Sequence, residues 1–299
     1  MAASIQDWFN AMGTPESPIE PTAFALSDRY DFPEFTCEVW RCRDAQGKSQ
    51  RMMMAIPKKA AFPCPAVAVP FYYPESMLGL DPAAGEPIPE DAPVAMMLHL
   101  VKRGYITASS DAYHLTFREN PRKRDDFARW KDAAAALREE HPNWSGIGKL
   151  VSDTRLLLDL LEKDSRTDAA RIGIAGHSLG GKMAFYTGCL DPRVKAILAS
   201  DFGFGWEQSN WRDSWYWDSR VDSLAAAGMD HTQLLGLASP KPFCLIAGEY
   251  DTKESGKMMR RAAGYAPGDE RLKIINHATG HRPPAYALEE GYRFLDRWM

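Results

Sequence analysis

Apolar and polar positions alternate along FTCEVWRCRDAQGKSQRMMMAIP (35–57) on either side of a DAQGK turn, which predicts a hairpin of two antiparallel strands. PAVAVPFYY (65–73) is a short apolar run dense in valine and aromatics, and predicts a buried strand. A Pro/Gly/Asp-rich loop follows at 74–93. Beyond it the period changes. VAMMLHLVKRG predicts a helix stopped by Gly104, and YITASSD a buried strand. KRDDFARWKDAAAALREEH and GKLVSDTRLLLDLLEKD place apolar residues three and four apart, the spacing of one helical face. RIGIAG, VKAILAS, PFCLIAG and RLKIINH then read as strands. Between and after them, GKMAFYTGCL, KESGKMMRRAAGYA and YALEEGYRFLDRWM read as helices.

Apolar strands alternating with amphipathic helices imply a mostly parallel central sheet covered by helices on both faces, an α/β fold. One domain over 1–299 is expected, with an irregular N-terminal stretch at 1–30 that holds a short helix at IQDWFNAM. An aromatic-rich stretch at 203–239 reads as a lid-like insertion. In such sheets ligands bind beyond the carboxyl ends of the strands, so chemistry is sought just after each strand.

Composition narrows the classes. With 45% hydrophobic and 25% charged residues, 299 residues can bury a sizeable core. A net charge of −4 gives no electrostatic case for nucleic acid or an anionic membrane. The basic patch in ENPRKRDD is met at once by acids and reads as a solvated helix start. Five scattered cysteines suggest reduced thiols rather than a disulfide framework, and without CxxC or HExxH no metal is expected. MAASIQDWFNAMG lacks the basic and apolar regions of a signal peptide, and no run of about 18 apolar residues could span a bilayer. A soluble cytoplasmic protein needing no cofactor is the expectation.

Gly176-His177-Ser178-Leu179-Gly180 fits G-x-S-x-G between a strand and a helix. A strand turning sharply into a helix holds its central residue in a strained conformation, so the flanking positions must be nearly free of side chains. The helix N-terminus then aims N–H groups at a developing oxyanion. The competing reading is a glycine-rich connection whose serine merely caps the helix. A phosphate-binding loop is excluded, because Lys182 follows the glycines without a Ser or Thr after it.

A serine hydroxyl needs a base, and the base an orienting acid, in the chain order Ser, acid, His. Among the later histidines, His231 lies in the insertion and His277 ends a strand. His281 sits on the loop ATGHRPP, where Gly280 gives freedom to turn inward, and is preferred. For the acid, PFCLIAGEYD puts Glu249 and Asp251 just past a strand. Asp251 is preferred because it lies on the loop rather than in the tight turn. Either carboxylate, taken alone, also fits an exposed loop residue or a helix cap.

GHSLGGKMAFYTGCLDPRVKAILAS, PKPFCLIAGEYD and NHATGHRPPAYALEEGYRFLDRWM resemble the serine, acid and histidine segments of α/β-hydrolases, within them the dienelactone hydrolase and acetyl xylan esterase-like branch. The resemblance covers about residues 60–299. It implies Ser178 as nucleophile, Asp251 as acid, His281 as base and the Leu179 N–H as one oxyanion donor. Where many relatives carry His-Gly, this chain has Phe71-Tyr72, so the second donor would come from Tyr72 or Tyr73.

Trp206, Trp211 and Trp215 fall in the segment expected over the strand ends, and read either as pocket wall or as bulk that packs the insertion. His114, after the strand YITASS, would form the opposite wall. The function that follows is a serine hydrolase of small to medium carboxylic esters acting through an acyl-enzyme, with acetylated carbohydrate as a narrower case. Its activity should rise through about pH 6 to 7.5 as the imidazole base becomes neutral. The rival readings are a non-catalytic binding protein of the same fold, or a hydrolase of lactones or peptides.

Overall fold

The apolar runs pair into a nine-stranded sheet in the computed structural model, which describes residues 3–15, 23–117 and 126–299. The first half of the chain gives α1 (Ile5–Met12), β1 (Ala25–Asp31), β2 (Phe35–Arg43), β3 (Ser49–Pro57), β4 (Cys64–Ala68), α2 (Pro74–Leu78), the two-residue strands β5 (Leu80–Asp81) and β6 (Glu86–Pro87), α3 (Met96–Lys102), β7 (Ile106–Ser110), α4 (Tyr113–Thr116) and α5 (Asp126–Glu140). The second half gives α6 (Gly146–Lys163), β8 (Thr167–His177), α7 (Leu179–Leu190), β9 (Val194–Ser200), α8 (Arg220–Ala226), α9 (His231–Ala238), β10 (Phe243–Ala247), α10 (Lys253–Met259), β11 (Leu272–Asn276) and α11 (Ala285–Trp298).

Strand order is β1-β2-β3-β7-β4-β8-β9-β10-β11. The pairs from β1 to β7 through β2 and β3 are antiparallel, and the six strands from β7 to β11 run parallel. The pattern implied the mostly parallel α/β sheet, and the resemblance the α/β-hydrolase fold that it forms.

The sheet has a core on each face, and the two-residue period of a strand sorts side chains between them. Met52, Met54, Ala66, Ala68, Ile172, Ile174, Leu245 and Ala247 point into one core. Their neighbours Met53, Val67, Val69, Ala175, Cys244 and Ile246 point into the other. Helix α11 covers the second face with Ala287, Leu288, Tyr292 and Leu295, an i, i+1, i+5, i+8 stripe. Helices α6 and α7 cover the first.

Two expectations change. Residues 25–31 are not irregular: they form the edge strand β1, paired with β2 alone. Its side chains are mostly exposed, so backbone pairing holds it and no apolar alternation marks it. The 74–93 loop is built from α2, the β5–β6 ladder and a short turn of 3-10 helix at Ala92–Val94. Most of the ENPRKRDD segment lies outside the described residues.

The β2–β3 turn is tied to α6 by a buried charge cluster. Lys149 Nζ donates to Asp44 Oδ2 at 2.7 Å and to Asp153, all three side chains being essentially inaccessible. Among the described residues no helix is long and apolar enough to cross a membrane, and no group of three or more His, Cys, Asp or Glu could hold a metal ion.

Candidate active site

Register decides what meets at the strand ends. His177 pairs with Ser200, and Ser200 with Ile246, so Ser178, Asp201 and the turn after β10 emerge side by side at one edge of the sheet. Ser178 occupies the turn from β8 into α7 with φ 56° and ψ −116°. A non-glycine residue held there costs on the order of 1–3 kcal/mol.

The glycines around Ser178 allow the turn. A Cβ on Gly176 would lie 2.1 Å from the Gly180 carbonyl oxygen, and one on Gly180 would lie 2.2 Å from that of Pro70. The second contact brings the PFYYP loop against the start of α7. Ser178 stands in the N-cap position of α7 but makes no side-chain cap hydrogen bond. Its Oγ instead lies 2.9 Å from His281 Nε2, so the helix-capping reading of this serine fails.

His281 is placed as expected, on the loop after β11. Its Nδ1 lies 2.7 Å from Oδ2 of Asp201. The expected acid, Asp251, is not on His281. Asp251 is wholly buried and points to the chain after β9, where its oxygens accept from the N–H groups of Phe202, Gly203 and Phe204 and from Ser255 Oγ. The alternative Glu249 is exposed, and its own N–H donates to Asp201. The order serine, acid, histidine survives with Asp201 in the middle. The sequence signal was present: Asp201 directly follows the strand VKAILAS, one strand after the serine.

Asp201, like Ser178, has a positive φ (42°). Its carboxylate is inaccessible and accepts from the N–H groups of Gly248, Glu249, Tyr250 and Asp251 at 2.9–3.1 Å. Burial alone would raise its pKa. The His281 hydrogen bond and the Asp251 N–H outweigh burial and hold it below the ordinary value, so Asp201 is ionised and can orient an imidazole N–H.

His177 packs against His281 with centroids 4.6 Å apart. Burial drives its pKa down to about 3, so it stays neutral, with Nδ1 3.2 Å from Ser200 Oγ. Tyr250 meets His281 edge-on at 4.8 Å. His277 hydrogen-bonds Thr279 and stays at the strand end.

A cavity of about 620 Å³ opens above Ser178 and His281. Tyr72, Phe127, Tyr216 and Tyr250 form aromatic sides, and Lys182, Glu207, Gln208, Ser209 and Asn210 a polar end. Leu179 is the first residue of α7. Tyr72 lines the cavity, and its carbonyl accepts from the Ala112 N–H at 3.3 Å. Tyr73 precedes α2 and sets its ring against His114.

The four residues expected as pocket wall do not line this cavity. His114 is buried, stacked on Trp130 at 4.2 Å. Trp206 packs on His231 and Trp211, and Trp215 on Trp130 and Tyr216. Trp211 is fully buried, with Nε1 bonded to the Gly203 carbonyl. The indoles of 203–239 join the core on that face of the sheet, Trp211 against Tyr186, Trp215 against Trp130 and Trp217 against Trp8, because a strand-free segment must bury apolar area to stay placed. Tyr216 is the ring from that cluster that reaches the cavity.

Lys182, set aside at the sequence level, lines the cavity one helical turn after Ser178. Its Nζ donates to the Phe202 carbonyl at 2.8 Å and to Ser209 Oγ at 2.7 Å, over the Trp211 ring. Burial lowers its pKa to about 7, against the raising influence of Asp251, Asp213 and Asp201.

The model of the Abhydrolase family matches residues 8–208, which include Ser178 and Asp201. The chain belongs to the Abhydrolase family. Within 165 residues it is 28% identical to the protein named hydrolase YtaP of Bacillus subtilis (strain 168), a match covering 51% of this chain and 54% of that one. The chain thus spans about half the length of that relative. Among solved structures it is similar to a glucuronoyl esterase from Solibacter usitatus, with TM-score 0.72 and 15% identity over 98% of this chain and 90% of that one. It is also similar to the acetyl xylan esterase from Paenibacillus sp. R4, with TM-score 0.63 and 15% identity over 99% of this chain and 94% of that one. At such identities the likeness is one of fold, and family membership rests on the family model.

Proposed function

We propose that the chain is a serine hydrolase of carboxylic esters in which Ser178 is the nucleophile, His281 the general base and Asp201 the acid that orients it. One observation carries this reading: an unbroken chain of hydrogen bonds, 2.9 Å from Ser178 to His281 and 2.7 Å from His281 to Asp201, at the floor of an open cavity. His281 Nε2 takes the hydroxyl proton as Ser178 Oγ attacks the ester carbonyl, and the alcohol leaves with that proton. Water, deprotonated by the same nitrogen, then releases the acid from the acyl-enzyme. The developing oxyanion is met by the Leu179 N–H and by a donor of the Tyr72–Tyr73 segment facing it.

An ester of a carbohydrate is the substrate class best supported. The cavity offers aromatic faces on its sides and a lysine, two amides and a hydroxyl at its end, a lining suited to a polyhydroxylated ring. Two proteins of the same fold are named a glucuronoyl esterase and an acetyl xylan esterase. Five buried, unpaired cysteines support a reducing, cytoplasmic setting.

A fluorophosphonate probe tests the reading directly. Wild type should label at one site and Ser178→Ala should not. An unlabelled wild type, or an alanine variant that labels equally, would overturn it. A panel of acetylated sugars, acetylated xylan and uronate methyl esters, set against simple alkyl esters, then tests the carbohydrate class; faster turnover of every alkyl ester would reject it.

A further inference from the structure

Two buried carboxylates on neighbouring parallel strands each cap the loop that carries the other. Asp201, after β9, receives four N–H groups from residues 248–251, while Asp251, after β10, receives three from residues 202–204. Ser255 Oγ, 2.9 Å from Asp251 and 3.0 Å from Gln208 Oε1, shares its single proton between them, so the three backbone N–H groups are the donors that fix both carboxylate oxygens of Asp251. The same three peptides are held by their carbonyls too. Phe202 O accepts from Lys182, Gly203 O from Trp211, and Phe204 O is 2.5 Å from His231 Nδ1.

We infer that Asp251 is a positioning residue: by holding both the chain that leaves Asp201 and, through its own N–H, the Asp201 carboxylate, it fixes the acid of the hydrogen-bonded chain and the Lys182 end of the cavity together. The inference rests on the reading of Asp201 and His281 given above, and it assigns no contact between Asp251 and substrate. A carboxylate is suited to this place because both its oxygens accept backbone N–H groups and neither offers a donor. An asparagine would turn an NH₂ group toward backbone N–H groups and unseat part of the turn. Displacing a catalytic group by about 1 Å costs on the order of 100-fold in rate.

Wild type, Asp251→Asn, Asp251→Glu and Ser255→Ala are compared on 4-nitrophenyl acetate, with active sites counted by a fluorophosphonate burst and folding followed by circular dichroism. In Asp251→Asn, kcat per titrated site should fall about 10- to 100-fold. Asp251→Glu keeps the charge but lengthens the side chain, so kcat per titrated site should fall there too.

A purely structural role would lower the number of titratable sites and leave kcat per site and the low-field His281 N–H resonance unchanged. Activity per site within twofold of wild type in Asp251→Asn overturns the inference. If Asp251→Asn does not fold, Ser255→Ala decides: removing one donor should lower kcat per site about two- to fivefold, and an unchanged value overturns the inference. The low-field proton resonance of the His281 N–H gives a readout independent of turnover, so an inactive wild type would sink the esterase reading alone. That resonance should shift in Asp251→Asn, and identical spectra reject the positioning role.

Discussion

Oδ2 of Asp201 lies 2.7 Å from Nδ1 of His281, joining residues 80 positions apart. The partner oxygen of the same carboxylate is occupied by backbone N–H groups from the β10 turn, so the acid cannot rotate away from the imidazole. Changing Asp201 to Asn keeps the shape but lets the wrong imidazole nitrogen carry the proton. A fall in kcat of about 10⁴-fold is expected, as for the equivalent change in a serine protease triad. Ester hydrolysis by Asp201→Asn within tenfold of wild type would place the acid elsewhere.

Gly180 separates α7 from the Pro70 carbonyl by less than a methyl group would need. Gly180→Ala should push the PFYYP loop off the helix start and lower stability by about 1–3 kcal/mol. Because that loop faces Ser178, kcat should fall more than tenfold in protein that still folds, as read by denaturant melts beside steady-state kinetics.

Lys182 makes the cavity pH-sensitive. Burial lowers its pKa to about 7, so its positive charge is present below that pH and lost above it. For a substrate that places a carboxylate or hydroxyl oxygen at the polar end, KM should therefore rise as pH goes from 6 to about 8. In Lys182→Met the KM should be higher throughout and flat across the same range. A wild-type KM that does not change over this interval would show that the ammonium does not contact substrate.

The Lys149–Asp44–Asp153 cluster lies in the core beside the β2–β3 turn, where the mechanism gives it no task. Lys149→Met would strand two buried carboxylates, and a loss of about 3–5 kcal/mol in urea unfolding is expected. Burial already pushes Asp153 up to about 7, so the variant should regain part of that loss on acidification as the orphaned carboxyls protonate. Below the melting transition kcat should stay within twofold.

Much of this was written in local pattern. Period-two and period-3.6 spacing located the parallel strands and their helices, because each strand and helix must bury a fixed face. G-x-S-x-G announced Ser178, because a turn that tight excludes side chains at Gly176 and Gly180 whatever surrounds it. The freedom of the ATGHRPP loop pointed to His281 for a similar reason. What pattern could not carry was choice among equals. Asp201, Glu249 and Asp251 are all carboxylates just past a strand, and the sequence reading, which weighs Glu249 against Asp251 and prefers Asp251, passes over Asp201. Strand order and register separate them: β9 lies directly beside β8, so the first residue beyond it reaches the imidazole over Ser178, while Asp251 turns back to cap the neighbouring loop. The tryptophans repeat the lesson, since an aromatic cluster looks the same as pocket wall or as core until the packing of the insertion turns each ring inward.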